Sequence, residues 1–388
     1  MTAAAYITRL SGVLPNAPVD NERMEQVLGQ VGERPSRARR IVLRNNGIRR
    51  RHYALCPETG MPTHNNAQLT AEAVRALAGD AFALETMDLL VCGTSTPDQL
   101  MPNHGVMVHG ELGSPACEVT ATAGICMAGV TALKYAFMSV RAGLARRAVT
   151  TGSELASTYL WSRHMRAEGP EDAEALERRP ELAFDRDFLR WMLSDGAGAL
   201  LVEGTPARRG LSLRIDWIEC LSYAGELEPC MYAGAHKGAD GRLTGWREYG
   251  SLQAAAADGA FSIKQDVKLL NEQIVRYTVG EGLSEVRRRR SLQPDEVDHF
   301  LPHYSSEYFR DRVAAELERI GFPIPAERWF TNLRERGNTG AASIYLMLEE
   351  LFHGGTLQPG QRILCFVPES GRFSTAYMLL TVVAPDEA

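Results

Sequence analysis

The sequence predicts an α/β protein made of two pseudo-symmetric halves. Three observations lead there. Short apolar runs that read as buried strands alternate with helical segments. The order strand, loop, buried helix, strand occurs twice. The spacings agree between the copies: Asp88 to Cys126 is 38 residues and Asp298 to Asn338 is 40, while Cys126 to Thr151 is 25 and Asn338 to Pro368 is 30. Order and spacing together point to an internal duplication. A chain of 388 residues has room for two such halves, expected at 1–206 and 207–388.

The elements follow in order. Tyr6-Ile7-Thr8 reads as a first strand. Thr70 to Leu77 reads as a helix, because Ala71, Val74, Leu77 and Ala78 recur at helical spacing. Met87 to Gly93 is an apolar run closed by a Thr/Ser/Pro cluster, the pattern of a buried strand running into a loop. Ala116 to Val119 is expected as a short strand. Ala121 to Leu144, apolar on nearly all sides, is expected as a buried helix. Arg147 to Gly152 and Leu200 to Val202 complete the first set of strands. In the second half the strands are Val297 to Leu301, Arg362 to Val367 and Ala376 to Val383, with a helix from Asn338 to Phe352. Two stretches, Arg163 to Arg190 and Cys220 to Gln253, do not fit the repeat and read as surface insertions of the kind that form lids and substrate-facing loops.

Composition excludes several classes. With 45% hydrophobic residues, 7% aromatics and 35 glycines, the chain reads as a packed enzyme, not a disordered one. Lys+Arg is 42 against Asp+Glu 48, a net charge of −6, which excludes a global basic field for nucleic acid. No run approaches the roughly 18 apolar residues of a membrane helix, and the N-terminus lacks the charged start and cleavage site of a secretory signal. A cytoplasmic protein is expected. The seven cysteines are odd in number and hold no CxxC pair, which fits reduced thiols and argues against disulfides or a zinc knuckle. His104 and His109 are five apart, off the helical spacing of a metal pair, so no metal is assigned and no cofactor is expected.

Three residues carry candidate chemistry. Cys126 lies in ATAGICMAGV at the start of the apolar helix, where small neighbours allow close backbone approach. The helix dipole and unpaired N–H groups there favour a thiolate and can hold an oxyanion. A plain buried core cysteine fits the same segment. His303 sits at a strand end in HFLPHYSS, where α/β proteins place reactive side chains. Asn338 opens Asn-Thr-Gly before a helix and could be a simple cap. Taken together, Cys126 and Asn338 occupy equivalent helix starts, and His303 ends the strand equivalent to the Met87–Gly93 strand. Pseudo-symmetry would then bring all three to one point, giving a nucleophile and two donors for a thioester carbonyl.

These residues lie in motifs: GIRRRHYA at Gly47–Ala54, TAGICMAG around Cys126, SDGAGA at Ser194–Ala199, Pro302-His303, and RGNTGAAS at Arg336–Ser343. In this combination the chain resembles the type III β-ketoacyl synthases of the thiolase superfamily, over almost its whole length apart from the two insertions. The resemblance implies a thiolase fold, with the two halves forming a five-layered αβαβα architecture. It implies Cys126, His303 and Asn338 as the catalytic triad, and a homodimer in which Met101 lines the partner's acyl tunnel; filling core space is the alternative for Met101. It also implies a glycine-rich oxyanion loop, here reduced to Ser370-Gly371-Arg372-Phe373, so Gly371 and Phe373 are taken as substrate-binding. The segments PSRARRIVLRNNGI, PHYSSEYF and PESGRFS look most like the ketosynthase/cyclases that make dialkylresorcinol and stilbene precursors.

The tryptophan that stacks on coenzyme A in many relatives is replaced by Ala38-Arg39-Arg40-Ile41, which favours donors bound to an acyl carrier protein. A landing patch for that acidic partner is sought in Arg287–Arg290 or in Arg37, Arg39, Arg40 and Arg44. A solvated helix end is the alternative for Arg287–Arg290. The expected reaction joins acyl thioesters through a Cys acyl-enzyme, in the ketosynthase/cyclase version a β-ketoacyl and an α,β-unsaturated acyl thioester, to a cyclohexane-1,3-dione. The alternatives are a decarboxylating condensing enzyme, acyl transfer to an alcohol, and a non-catalytic chain-length partner subunit.

Overall fold

The structure is a computed structural model and describes residues 4–32, 36, 39–165 and 188–385. The elements that position the site are, in chain order, β1 (Tyr6–Val13), α1 (Asn66–Arg75), β2 (Leu89–Thr94), α2 (His104–Leu112), β3 (Glu118–Ala123), α3 (Met127–Arg141), β4 (Arg147–Glu154), β5 (Gly196–Glu203), β6 (Ser212–Ser222), α4 (Val267–Val275), α5 (Gly282–Arg290), β7 (His299–Pro302), α6 (Arg310–Arg319), α7 (Ser343–His353), β8 (Arg362–Glu369) and β9 (Ser374–Val383).

The nine strands hydrogen-bond in the order β7-β8-β9-β6-β1-β5-β4-β2-β3. The two ends mirror each other. β3 pairs parallel with β2, and β2 parallel with β4. At the other end β7 pairs parallel with β8, and beyond β7 the equivalent of β3 shrinks to one parallel bridge, Phe300 to Trp329. The halves meet at β1 and β6, which pair antiparallel through Tyr6–Arg214 and Ile7–Leu213. With so short a seam the two half-sheets splay into separate layers. Helices α3 and α7 fill the space between them: α3 packs on β2 and β4 from one half and on β8 and β9 from the other. Outer helices α1 and α2 cover the first half-sheet, and α5 packs on the second, so five layers result. The central core joins Val91, Leu133 and Ala136 to Ile344, Leu348, Ile363 and Met378. β2 is buried at every position, as expected for a parallel strand covered on both faces.

Several expected boundaries move. The first strand runs on to Val13. The strand expected at Ala116–Val119 is Glu118–Ala123, so Ala121 to Ala123 are strand and the helix starts only at Met127. Its Ala/Thr composition reads as helical, but the pairing with β2 overrides that propensity. The helix expected from Asn338 starts at Ser343 after a 3₁₀ turn at Gly340–Ala342. Cys220 is not in an insertion: it lies in the long strand β6, paired with Ala376. The insertion proper follows β6. It is built from the ladders Ala235–Lys237 with Leu243–Gly245 and Met231–Tyr232 with Lys264–Gln265. Of the other insertion, residues 166–187 lie outside the described residues. The division expected at 206/207 falls between β5 and β6. Among the described residues no helix is long and apolar enough to cross a membrane.

Candidate active site

Close backbone contacts place α3, the helix that follows Cys126. A Cβ at Gly93 would stand 2.3 Å from the Ala128 carbonyl oxygen, and Cβ atoms at Gly129 and Gly152 would stand 2.4 and 2.2 Å from that of Ala341. These glycines let α3 sit directly on β2 and β4 and bring the Asn338 loop against both. Cys126 occupies the N-cap position of α3.

The sequence motifs knit the opposing loop. Ser194 N–H donates to the Asn338 carbonyl at 2.8 Å, and Asn338 N–H to the Met192 carbonyl at 3.1 Å. His52 N–H donates to Ser194 Oγ at 2.9 Å, and Asp195 N–H to the His52 carbonyl at 2.8 Å. Asp195 in turn accepts from Ala54 N–H and Ser157 N–H at 2.7 and 2.8 Å. Burial pushes its carboxyl up to about 6 against these donors. Three motifs far apart in sequence thus hold Asn338 in place.

Cys126, His303 and Asn338 line one cavity. Most of its other walls are apolar, with Leu189, Met192, Ile274, Phe309 and Phe366 among them. The second insertion faces this cavity through Met231, Ile263 and Gln265. Asn338 Oδ1 accepts from Gly340 N–H at 3.0 Å, which leaves its amide NH₂ without a partner among the described residues. The His303 ring is buried and also lacks a hydrogen-bond partner among the described residues, and burial pushes its imidazole down to about 4. A neutral imidazole and an amide therefore face the cavity as donors.

The surroundings of Cys126 differ from expectation. Its thiol is held well above the usual range, first by burial, then by Glu369 and Glu154. The N–H groups expected to favour a thiolate are already taken. Glu369 Oε2 accepts from Ile125 N–H at 2.8 Å and from Met127 N–H at 3.0 Å, one on each side of Cys126. Glu154 is buried, lines the cavity, and is pushed up to about 7 by burial. It accepts from Ser95 N–H at 2.9 Å, Ser95 Oγ at 2.5 Å, Thr96 Oγ at 3.2 Å and Ala341 N–H at 3.4 Å. Sequence reading missed both carboxylates. The run Pro368-Glu369-Ser370, at the end of a strand equivalent to β4, was the available signal.

Other expected residues fall elsewhere. Met101 does not fill core space: it is 81% exposed beside exposed Leu100. Phe373 is fully buried in a core cluster with Tyr304 and Leu270 and does not line the cavity. It is held at φ 55°. Gly371 lies against Ile125, and its carbonyl accepts from Cys230 N–H at 2.8 Å. It is Ser370 that lines the cavity. The run Arg287–Arg290 is tied internally. Arg288 and Arg289 pair with Glu285, Arg289 and Arg290 pair with Glu219, and Arg287 donates to the Ile320 carbonyl. In the other basic stretch Arg39 pairs with Glu25, while Arg40 and Arg44 are exposed; Arg37 lies outside the described residues. No exposed aromatic stands between Arg39 and Ile41. Among the described residues no group of three or more His, Cys, Asp or Glu is placed to hold a metal.

The chain is similar to known condensing enzymes. Residues 288–379 match the family described as 3-oxoacyl-[acyl-carrier-protein (ACP)] synthase III C terminal. A β-ketoacyl-[acyl-carrier-protein] synthase III of Methylococcus capsulatus is 24% identical over 370 residues, covering 94% of this chain and 95% of the relative. Among solved structures, the tetronic acid condensing enzyme AbyA1 superposes with a TM-score of 0.72 at 20% identity, covering 97% of this chain and 99% of that one. OleA of Xanthomonas campestris, solved as a variant with bound lauric acid and lauroyl-CoA, superposes with a TM-score of 0.73 at 19% identity, covering 98% of this chain and all of the other (100%). The fold is the thiolase fold.

Proposed function

From this kinship with type III ketosynthases of the thiolase superfamily, we propose that the chain is a ketosynthase/cyclase that joins a β-ketoacyl and an α,β-unsaturated acyl thioester into a cyclohexane-1,3-dione. The chain is an acyltransferase-type condensing enzyme. One observation carries the reading: Cys126, His303 and Asn338 share a largely apolar cavity in which the last two keep unpartnered donors.

The chemistry follows from that arrangement. The Cys126 thiol attacks an acyl thioester, the carrier's thiolate leaves with the proton, and an acyl-enzyme remains. The apolar walls receive the acyl chain. A second thioester then places its carbonyl oxygen between the His303 ring and the Asn338 amide. As the α-carbon gives up its proton, negative charge grows on that oxygen, where two fixed donors in a water-poor cavity stabilise it best. The enolate carbon attacks the acyl carbon and expels the Cys126 thiolate, which takes up a proton in balance with the one lost from the α-carbon and so regenerates the thiol. The γ-carbon of the former β-ketoacyl group then loses a proton and adds to the β-carbon of the unsaturated chain; the C=C π bond breaks, its α-carbon takes up a proton, and the ring closes while still linked to the carrier as a thioester.

The donors are proposed to arrive on an acyl carrier protein. No aromatic platform for an adenine stands on the helix Arg39–Asn46, and its exposed Arg40 and Arg44 suit an acidic carrier better than the internally paired Arg287–Arg290.

Intact-mass measurement after incubation with carrier-bound acyl thioesters tests the reading. The wild type should gain one acyl group, mapped to Cys126, and release a cyclohexanedione when a β-ketoacyl thioester follows. Cys126→Ala and Cys126→Ser should gain none while keeping a native melting transition. An adduct mapped to Cys92 or Cys117 would remove Cys126 as nucleophile.

A further inference from the structure

Condensation brings two acyl tails to one cavity, and the walls around Cys126 are unequal. On the side of the first half stand Ser95, Thr96 and Glu154, hydrogen-bonded to one another, and this wall is polar. On the side of the second half the cavity continues as an apolar arm between α4 and α6. Leu270, Ile274 and Thr278 are four residues apart and share one helical face, which runs from α4 into the π-helical turn Arg276–Glu281. Eight residues of helical rise make that wall about 12 Å long. Phe309 and Val313 line the arm at the start of α6, which packs against α4 and the π turn, and Phe366 lines it from β8.

Three features fit this arm to a hydrocarbon tail. It is dry: Thr278 is the one polar side chain among these six, and its hydroxyl is spent on the Ile274 carbonyl at 2.5 Å. An arm with no side-chain donor left favours a hydrocarbon and penalises a polar group. It is fixed: the Phe366 ring stacks on those of Phe300 and Tyr377, with centroids 6.3 and 4.9 Å away, and Tyr377 OH donates to the Thr278 carbonyl at 2.8 Å, which holds the π turn to β9. It is closed: all six residues are buried. The arm follows the seam between two core clusters. Leu270, Ile274 and Phe309 belong to one, Val313 and Phe366 to the other, and Val275, which also lines the cavity, packs against both. Val313 shares its cluster with Val279, Leu317 and Phe322, so the space ends there in packed core.

We infer that the tail of the acyl group carried by Cys126 lies in this chain's own second half, in the arm between α4 and α6, and that Val313 sets the longest tail accepted. The inference rests on the ketosynthase reading above. A closed arm is filled by the first tail to enter. The first carrier leaves once Cys126 is acylated, and the second substrate arrives when the arm is already occupied. In the proposed reaction that first tail belongs to the α,β-unsaturated acyl group. At a closed apolar end one methylene too many has no room, and one methylene is worth roughly ten- to two-hundredfold in discrimination. The walls of the arm come from one chain; the exposed Met101 is not among them.

Carrier-bound α,β-unsaturated acyl thioesters of increasing length, offered in competition and read by intact mass on Cys126, test this. Val313→Phe fills the end of the arm and should shorten the longest chain loaded, with the ratio of longest to shortest chain falling about tenfold or more. Val313→Ala opens the end and should raise that ratio and admit longer chains. The alanine variant decides the matter should the phenylalanine variant not fold. A length profile unchanged in both variants would overturn the inference, as would a profile that shifts with Met101→Trp and stays put in the Val313 variants. A change in the β-ketoacyl tail lengths found in the condensed product, with loading on Cys126 unaltered, would give the arm to the second substrate and overturn the assignment. A wild type that loads no acyl group of any length would instead sink the ketosynthase reading itself.

Discussion

At the scale of single residues, Asn338 gives the sharpest distinction between packing and chemistry. Its Oδ1 serves the Gly340 N–H, so a capping duty is real, but its NH₂ group faces the cavity. Asn338→Asp keeps the acceptor and replaces the donor with a charge beside a developing enolate. Acyl loading should survive, and condensation should fall about a hundredfold or more; a normal condensation rate, read by product release, would reduce Asn338 to a cap. Glu154 makes a different prediction. Burial raises its folded-state carboxyl from the usual 4.5 to about 7. The folded state therefore holds the proton more tightly than the unfolded chain, and the stability it lends is full below about 4.5 and lost as pH rises through about 7. On thermal melts the wild type should lose stability between these limits relative to Glu154→Gln, by roughly 3 kcal/mol at most. A parallel pH dependence in the two proteins would contradict the shift. That Cys126, His303 and Asn338 meet at one cavity was legible in sequence because they stand at matched places in two repeats. The two carboxylates were not. Glu369 reaches the Cys126 helix from the far end of the chain, and reading a helix start in isolation assigned its free N–H groups to a thiolate when a carboxylate already holds them.

At the scale of elements, the glycines that seat α3 fix the distance between Cys126 and the Asn338 loop. Gly152 has no room for a methyl group: its Cβ would stand 2.2 Å from a backbone oxygen of the Asn338 loop and 2.9 Å from the Tyr345 ring. Neither neighbour can yield without moving α7 or the loop. Gly152→Ala should cost about 1–3 kcal/mol, read as a lower melting temperature, and should depress condensation more than loading because it displaces Asn338 from Cys126. An unchanged melt would mean the layers can slide. The sequence pattern located most of the central strands and both inner helices, since burial on all sides leaves an unbroken apolar record. It failed where pairing decides and composition does not. β3 carries Thr and Ala that suit a helix as well as a strand, and only its partnership with β2 makes it extended. The long strand β6 went unread because its Arg214, Asp216 and Glu219 interrupt the apolar run. Their positions in the sheet become intelligible only through Thr381, Arg289 and Arg290, which hold them from neighbouring elements.

At the scale of the whole molecule, the two ends of the nine-stranded sheet are unequal. Beyond β7 the sheet stops in a single bridge to Trp329, a short edge of the kind that discourages further pairing. At the other end β3 is a full six-residue strand bonded on one side only, with Glu118 and Ala123 exposed. Apolar side chains stand open in the same half: Leu100 is 66% exposed, Met101 81% and Met138 50%. An unpaired strand flanked by exposed Leu and Met is a surface that a second copy of the chain would cover by continuing the sheet through a twofold axis. We therefore expect a homodimer joined at β3, with Met101 buried against the partner. Light scattering at micromolar concentration should give twice the chain mass, and Ala121→Pro, which removes an N–H from the open edge of the strand and leaves the cavity residues untouched, should shift it toward one. Should Met101 enter the partner's acyl space, Met101→Trp should leave the dimer intact and shorten the longest acyl chain found on Cys126 by intact mass. A dimer whose Met101→Trp variant keeps the full range of acyl lengths would leave β3 as the interface but remove Met101 from the tunnel, and a monomeric wild type would leave both the strand edge and the methionine exposed as they stand.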